Sequence, residues 1–355
     1  MTATSTHNVD TEPKKGALAM DLAFFGLREP PFNPTPDPRF LHLTPAHQEA
    51  LAQLLYGVQQ RKGFILLTGE VGTGKTTLLH AMLDRLDDTT AVAFVTNSML
   101  GFEGVLEYML EDLGIAKPLE MSLAQRLFAL QSFLIERQRA GQNTVLILDE
   151  AQNLDPQTLE QIRLLSNFEA KSEKILQILL VGQPELRTRL DSPELRQLKQ
   201  RIGLRCRIPS LGPAQVPDYV RTRLRIAGTH DLGLFSPEAI ARIADYSGGV
   251  PRLVNMVCDH CLLFAYADQV RRIDRPIVEE AIQYLEEGEQ PRRRSRSILR
   301  SWRTPSIRWI VAASATTVGL AVLSAAHPAT LWRTIGLVAS SLSDFARSAL
   351  ALLLQ

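Results

Sequence analysis

Eight residues, Gly69-Glu-Val-Gly-Thr-Gly-Lys-Thr76, fill every fixed position of the phosphate loop G-x-x-x-x-G-K-[ST]. Glycine at positions 69, 72 and 74 lets successive backbone N–H groups turn inward, making a nest for phosphate oxygens at the positive end of the helix that follows. Lys75 is then placed for the β- and γ-phosphates and the Thr76 hydroxyl for Mg²⁺. The candidate cofactor-binding segment is Gly69, Glu70, Val71, Gly72, Thr73, Gly74, Lys75, Thr76 and Thr77. Downstream, Val145-Leu-Ile-Leu-Asp149-Glu150 is an apolar run ending in two acids. An apolar run followed by acids is a weak signal alone, since many strands simply end in solvent. After a phosphate loop it is strong: Asp149 is placed to hold Mg²⁺, together with Thr76, and Glu150 to orient and deprotonate an attacking water.

These groups need elements that deliver them to one crevice. Phe64-Ile-Leu-Leu-Thr68 reads as a strand entering the loop, and Thr77 to Leu86 as the helix leaving it. Further on, strands at Ala91–Val95, Val145–Leu148, Ile175–Val181 and Arg205–Ile208 alternate with helices across Phe102–Leu113, Leu123–Arg139 and Pro156–Phe168. Strands apolar throughout, separated by amphipathic helices, predict a parallel sheet with helices on both faces. From Pro213 the strand signals stop. Four helical segments follow, near 213–227, 237–247, 251–267 and 276–286, predicting a small helical unit. Ahead of the sheet, Thr44 and Pro45 read as the cap and first residue of a helix, and the proline-rich stretch from Phe25 to Leu41 as an extended arm.

The phosphate loop, Leu148-Asp-Glu-Ala-Gln-Asn153, Val181-Gly-Gln-Pro-Glu-Leu186, Leu198-Lys-Gln-Arg-Ile202 and Gly248-Gly-Val-Pro-Arg252 together resemble the AAA+ ATPases of the general secretion pathway protein A (ExeA-like) type. Phe25-Gly-Leu27, Pro31-Phe32 and Pro36-Asp-Pro38 of the arm fit as well, so the resemblance runs from Asp21 to Glu286. It implies an α/β P-loop NTPase (AAA+) fold with a small helical lid, acting on ATP with Mg²⁺ as an oligomer. It also implies roles for single residues. Gln183 resembles the sensor-1 polar residue near the γ-phosphate, with a solvated loop glutamine as the alternative. Arg252, opening a lid helix, resembles sensor 2, with a capping or surface arginine as the alternative. Arg201 resembles an arginine finger offered to a neighbouring subunit, although Arg196 and Arg205 stand close by. Asn97 is a candidate for holding Glu150 inactive.

The formal net charge of +1 conceals an asymmetry. Seven arginines and no acid lie between residues 291 and 308, which leaves the body of the chain acidic and unlike a surface that wraps nucleic acid. Directly afterwards, Trp309 to Trp332 is 24 residues without formal charge. Its first 18, 309–326, approach the minimum for a bilayer span, with Trp302 and Trp309 flanking it and the arginines on the expected cytoplasmic side. The Ala, Ser and Thr content leaves a buried or surface-lying helix as the alternative. Leu331, Ile335, Val338, Leu342, Phe345, Ala349 and Leu352 then form a heptad-like seam. Three cysteines suit a reducing compartment, and Cys258-Asp-His-Cys261 reads as one face of a helix, not as a metal or redox site. No signal peptide is indicated in the polar first 20 residues.

The resulting division is a disordered leader (1–20), an arm and helix (21–62), a nucleotide-binding α/β domain (63–212), a helical lid (213–288), a basic juxtamembrane linker (289–308), a transmembrane helix (309–326) and an amphipathic tail (327–355). The expected protein is a single-pass ATPase of the inner membrane, its catalytic domain in the cytoplasm, assembling a secretion, pilus or exopolysaccharide export apparatus with protein partners. Two rivals stay open: a DNA-associated AAA+ regulator of the transposition type, and a low-turnover nucleotide switch.

Overall fold

Three runs that are apolar without interruption become the middle of one parallel sheet. The computed structural model describes residues 20–33, 37–40, 42–96, 99–116, 121–170, 173–229 and 231–287. Strands β1 (Phe64–Gly69), β2 (Thr90–Val95), β3 (Asn143–Leu148), β6 (Gln177–Gly182) and β7 (Ile202–Ile208) lie in the order β2-β3-β6-β1-β7, every neighbouring pair parallel. A two-residue hairpin, β4 (Glu169–Ala170) and β5 (Glu173–Lys174), precedes β6. In β1 and β6 every residue is buried, as a strand covered on both faces requires.

Alternation along the strands splits the interior into two layers. Leu66, Leu146, Leu148, Ile178 and Leu180 pack with helices α3 (Phe102–Asp112), α4 (Leu123–Arg139) and α5 (Pro156–Leu165). Ile65, Leu67, Val145, Ile147, Leu179 and Val181 pack with α1 (Pro45–Gln59) and α2 (Lys75–Leu83) on the other face. Helix starts follow local chemistry. Thr44 caps α1 ahead of Pro45, Ser122 and Gln125 form a reciprocal capping box on α4, and Asp155 caps α5 ahead of Pro156. The last strand begins three residues earlier than the sequence pattern suggests, because Gly203, Arg205 and Arg207 face outward from an edge strand and dilute its apolar signal. Two short helices, α6 (Pro184–Leu190) and α7 (Arg196–Arg201), bridge β6 and β7.

The helical unit consists of α8 (Val216–Ile226), α9 (Pro237–Ser247), α10 (Pro251–Ala267) and α11 (Arg275–Glu287). Its core is completed by the arm: Phe25, Leu27, Phe32 and Phe40 are buried among Val220, Leu224, Val257 and Cys261. Among the described residues of the arm no α-helix forms; it contains two 3₁₀ turns, Leu22–Phe25 and Pro38–Phe40, where the sequence pattern suggests an extended run. Arg223, itself buried, donates from Nε to the Pro31 carbonyl at 2.6 Å and lies over the Phe40 ring at 4.9 Å. Cys258 and Cys261 sit on the inner face of α10, where burial pushes both thiols up, and among the described residues no cluster of metal-ligating side chains occurs.

Among the described residues no helix is long and apolar enough to cross a membrane. The expected span at 309–326, the basic linker, the tail, the leader up to residue 19 and Asn97 all lie outside the described residues.

Candidate nucleotide site

The loop between β1 and α2 uses its glycines in two ways. Gly72 and Gly74 have φ of +79° and +94°, conformations that side chains avoid. Gly69 does not turn this way; instead a Cβ there would lie 2.9 Å from the Ile208 carbonyl and 2.8 Å from Thr73 Oγ1, so a close approach demands glycine. Glu70 and Val71 stand exposed on the crest, while Thr73 is buried with its hydroxyl donating to the Glu70 carbonyl at 2.8 Å. Thr77, in the first turn of α2, is half-buried.

Lys75 is 5% exposed and its ammonium donates to the carbonyls of Gly69 at 2.9 Å and Glu70 at 3.1 Å. Burial pulls its pKa below the ordinary lysine value, opposed by the charges of Glu150, Asp149 and Glu70. The Thr76 hydroxyl donates to Asp149 Oδ2 at 3.0 Å, so residues 73 positions apart meet at the ends of two central strands. Asp149 is buried, and that burial raises its carboxyl, with hydrogen bonds from the Glu150 N–H and the Thr76 hydroxyl opposing. A hydroxyl and a buried carboxylate are hard oxygen donors, the set that suits Mg²⁺.

Glu150 occupies the left-handed region at φ +51°, ψ 37°. Its Oε2 accepts from Gln152 Nε2 at 2.6 Å and from Gln183 Nε2 at 3.2 Å. Burial pushes this carboxyl up, but the two amides and the Lys75 charge outweigh it and the pKa sits below the usual glutamate value. Gln152 also accepts the Gln183 N–H at 3.1 Å, and its carbonyl takes the Arg189 guanidinium from α6. Gln152 was not singled out by the sequence, although it lies in the quoted run after the acidic pair. Its role depends on the 3₁₀ turn Ala151–Asn153, which folds the side chain back over Glu150.

Arg252 meets the loop from the lid: its backbone N–H donates to the Gly72 carbonyl at 3.2 Å, and a Cβ on Gly72 would come within 2.5 Å of Arg252 Cβ. Lys75, Thr76, Asp149, Glu150, Gln183 and Arg252 are thus gathered around one loop. Arg201 is bonded elsewhere, to Ser166 Oγ and, at 3.4 Å, to the Arg163 carbonyl at the end of α5. Arg196 and Arg205 instead line an open cleft with Lys199, Gln200 and Ile202.

A family described as an AAA domain matches residues 58–190. General secretion pathway protein A of Aeromonas hydrophila is 42% identical over 248 residues, 70% of this chain and 45% of that protein. The chain is an AAA+ ATPase related to general secretion pathway protein A. It spans about half the length of that relative. Among solved structures, the Aeropyrum pernix ORC2 protein in its ADPNP-ADP complexes is 20% identical with a TM-score of 0.56, covering 74% of each chain. Drosophila ORC bound to DNA is 17% identical with a TM-score of 0.57, covering 81% of this chain and 71% of that one. At these identities the likeness shows that this AAA+ ATPase shares their fold.

Proposed function

We propose that this chain is a membrane-anchored AAA+ ATPase that hydrolyses ATP with Mg²⁺ and works as an oligomer in an export apparatus of the secretion, pilus or exopolysaccharide type. The observation that carries the catalytic reading is the 3.0 Å contact between the Thr76 hydroxyl and Asp149 beside a buried Lys75. The loop N–H groups and Lys75 hold the β- and γ-phosphates. Thr76 and Asp149 hold Mg²⁺, which when bound neutralises charge on the transferring phosphoryl group. Glu150 aligns a water in line with the γ-phosphorus and takes its proton as the bond to the bridging oxygen breaks. Gln183, hydrogen-bonded to Glu150, senses the γ-phosphate in this reading. Arg252, already against the loop, couples hydrolysis to movement of the lid.

Arg201 is the proposed finger for the neighbouring subunit, with Arg196 and Arg205 as the alternatives that face the open cleft. The domain boundaries at 21, 63, 213, 289, 309 and 327 belong to this reading, with the arm now assigned as the partner of the lid. Support for the export role comes from the relationship to general secretion pathway protein A over 248 residues, and support for the anchor from the uncharged run after the seven arginines.

Lys75→Ala is expected to abolish tight ATP binding and Glu150→Gln to keep binding while removing turnover. Titration with a labelled nucleotide and phosphate release measure the two. Equal ATP affinity in the wild type and Lys75→Ala would sink the assignment.

A further inference from the structure

Two consecutive carbonyls of the phosphate loop are gripped from outside. Gly72 O takes the Arg252 N–H from the lid, and Thr73 O lies 3.2 Å from Nε2 of His47, in the first turn of α1. His47 is 5% exposed, and its hydrogen bonds go to Thr44 and Thr73, not to either candidate magnesium ligand. A carbonyl can only accept, so Nε2 must carry the hydrogen. Nδ1, 2.6 Å from Thr44 Oγ1, is then the acceptor of a neutral ring, and the Thr44 hydroxyl donates to it while accepting the His47 N–H at 3.3 Å. Burial holds His47 below the ordinary histidine value, in keeping with a neutral ring at neutral pH.

The consequence lies one atom further along. The described residues contain no cis peptide, and in a trans peptide the C=O and the next N–H point in opposite directions. Fixing the Thr73 carbonyl toward His47 therefore aims the Gly74 N–H away from α1, and a phosphate nest needs such an N–H held in one direction. At φ +94° Gly74 has no side chain to resist rotation of that peptide, so the restraint has to come from outside. We propose that His47 is a positioning residue for phosphate binding, its Nε2–H locking the Thr73–Gly74 peptide so that the Gly74 N–H is aimed before nucleotide arrives. This rests on the nucleotide reading above. Removing the lock leaves the loop to be ordered at the moment of binding, a cost that appears as lost affinity.

The test uses the full chain with Mg²⁺, a non-hydrolysable ATP analogue to read affinity and ATP itself to read turnover. His47→Leu, which has no donor, is expected to weaken binding about five- to tenfold, the size of one net hydrogen bond, with the loss falling on KM more than on kcat. His47→Gln, whose amide N–H can reach the Thr73 carbonyl, should recover most of it. Nitrogen NMR of the wild type should report a neutral His47 ring protonated on Nε2, a measurement that stands even if a variant fails to fold. Binding by His47→Leu within twofold of the wild type overturns the proposal. So do equal losses in folded His47→Gln and His47→Leu, or a ring protonated on Nδ1. Lys75→Ala separates the two levels: if it binds like the wild type the nucleotide reading fails, whereas if it loses binding and His47→Leu does not, only the role of His47 fails.

Discussion

At Glu150 the backbone sits in a region that costs a residue with a side chain about 1–3 kcal/mol, and two amides converge on one carboxylate oxygen. Strain kept beside a buried lysine and a paired aspartate is consistent with a carboxylate whose direction matters. With Oε2 occupied by Gln152 and Gln183, Oε1 is left to take a proton. Gln152→Leu is therefore expected to lower kcat about tenfold while leaving ATP affinity within about twofold, since a hydrogen bond to a charged group is worth about 1.5–3 kcal/mol. Steady-state kinetics beside nucleotide titration checks this, and an unchanged kcat would remove Gln152 from the site. The acidic pair and the lysine were legible in the sequence because phosphate chemistry fixes both their types and their spacing. Gln152 was not, because a partner two residues away faces its neighbour only when the turn between them has an unusual backbone.

Among the elements, the joint between β7 and the lid has no room for a side chain at Gly249. A Cβ on Gly249 would fall 1.8 Å from the Leu211 carbonyl, and its φ of +74° adds strain of its own. Gly249→Ala should destabilise the protein by at least about 2 kcal/mol, read as a lower midpoint in a thermal melt; an unchanged melt would show that the joint gives way easily. The arm offers a gentler test. Arg223→Met removes the bond to the Pro31 carbonyl and the cation over Phe40, and is expected to make the chain more readily cut by protease between Asp21 and Phe40. Periodicity revealed the central strands and all four lid helices, the latter within about three residues. It could not reveal what the arm packs against. Prolines announce what a segment is not, whereas its partner, nearly 200 residues away, leaves no local mark.

For the molecule as a whole, activity per chain should rise with protein concentration if a neighbour completes the site. Mixing inactive Glu150→Gln with Arg201→Ala, Arg196→Ala or Arg205→Ala should restore turnover for whichever arginine acts in trans, an effect on the order of 10³ or more. Concentration-independent turnover with no complementation would favour a nucleotide switch. Fractionation addresses the anchor: the full chain should stay with membranes through high salt and carbonate, while a chain ending at Gln290 should be soluble and still bind ATP. Release by salt alone would point to charge, and would move the DNA-associated reading ahead. One further consequence belongs to synthesis. The arm emerges from the ribosome before any of the sheet, yet Phe25 and Pro31 are bonded through Thr229 and Arg223, residues made about two hundred positions later. Four large apolar side chains, Leu27 and the phenylalanines at 25, 32 and 40, thus have no final home until the lid helices are out. The α/β body can form in the interval, but closing the N-terminal end onto the lid is a late, long-range step. The nascent chain passes through a stage in which its phosphate loop and acidic pair are in place while the apolar side chains of its arm are still unburied, the stage most in need of chaperone cover.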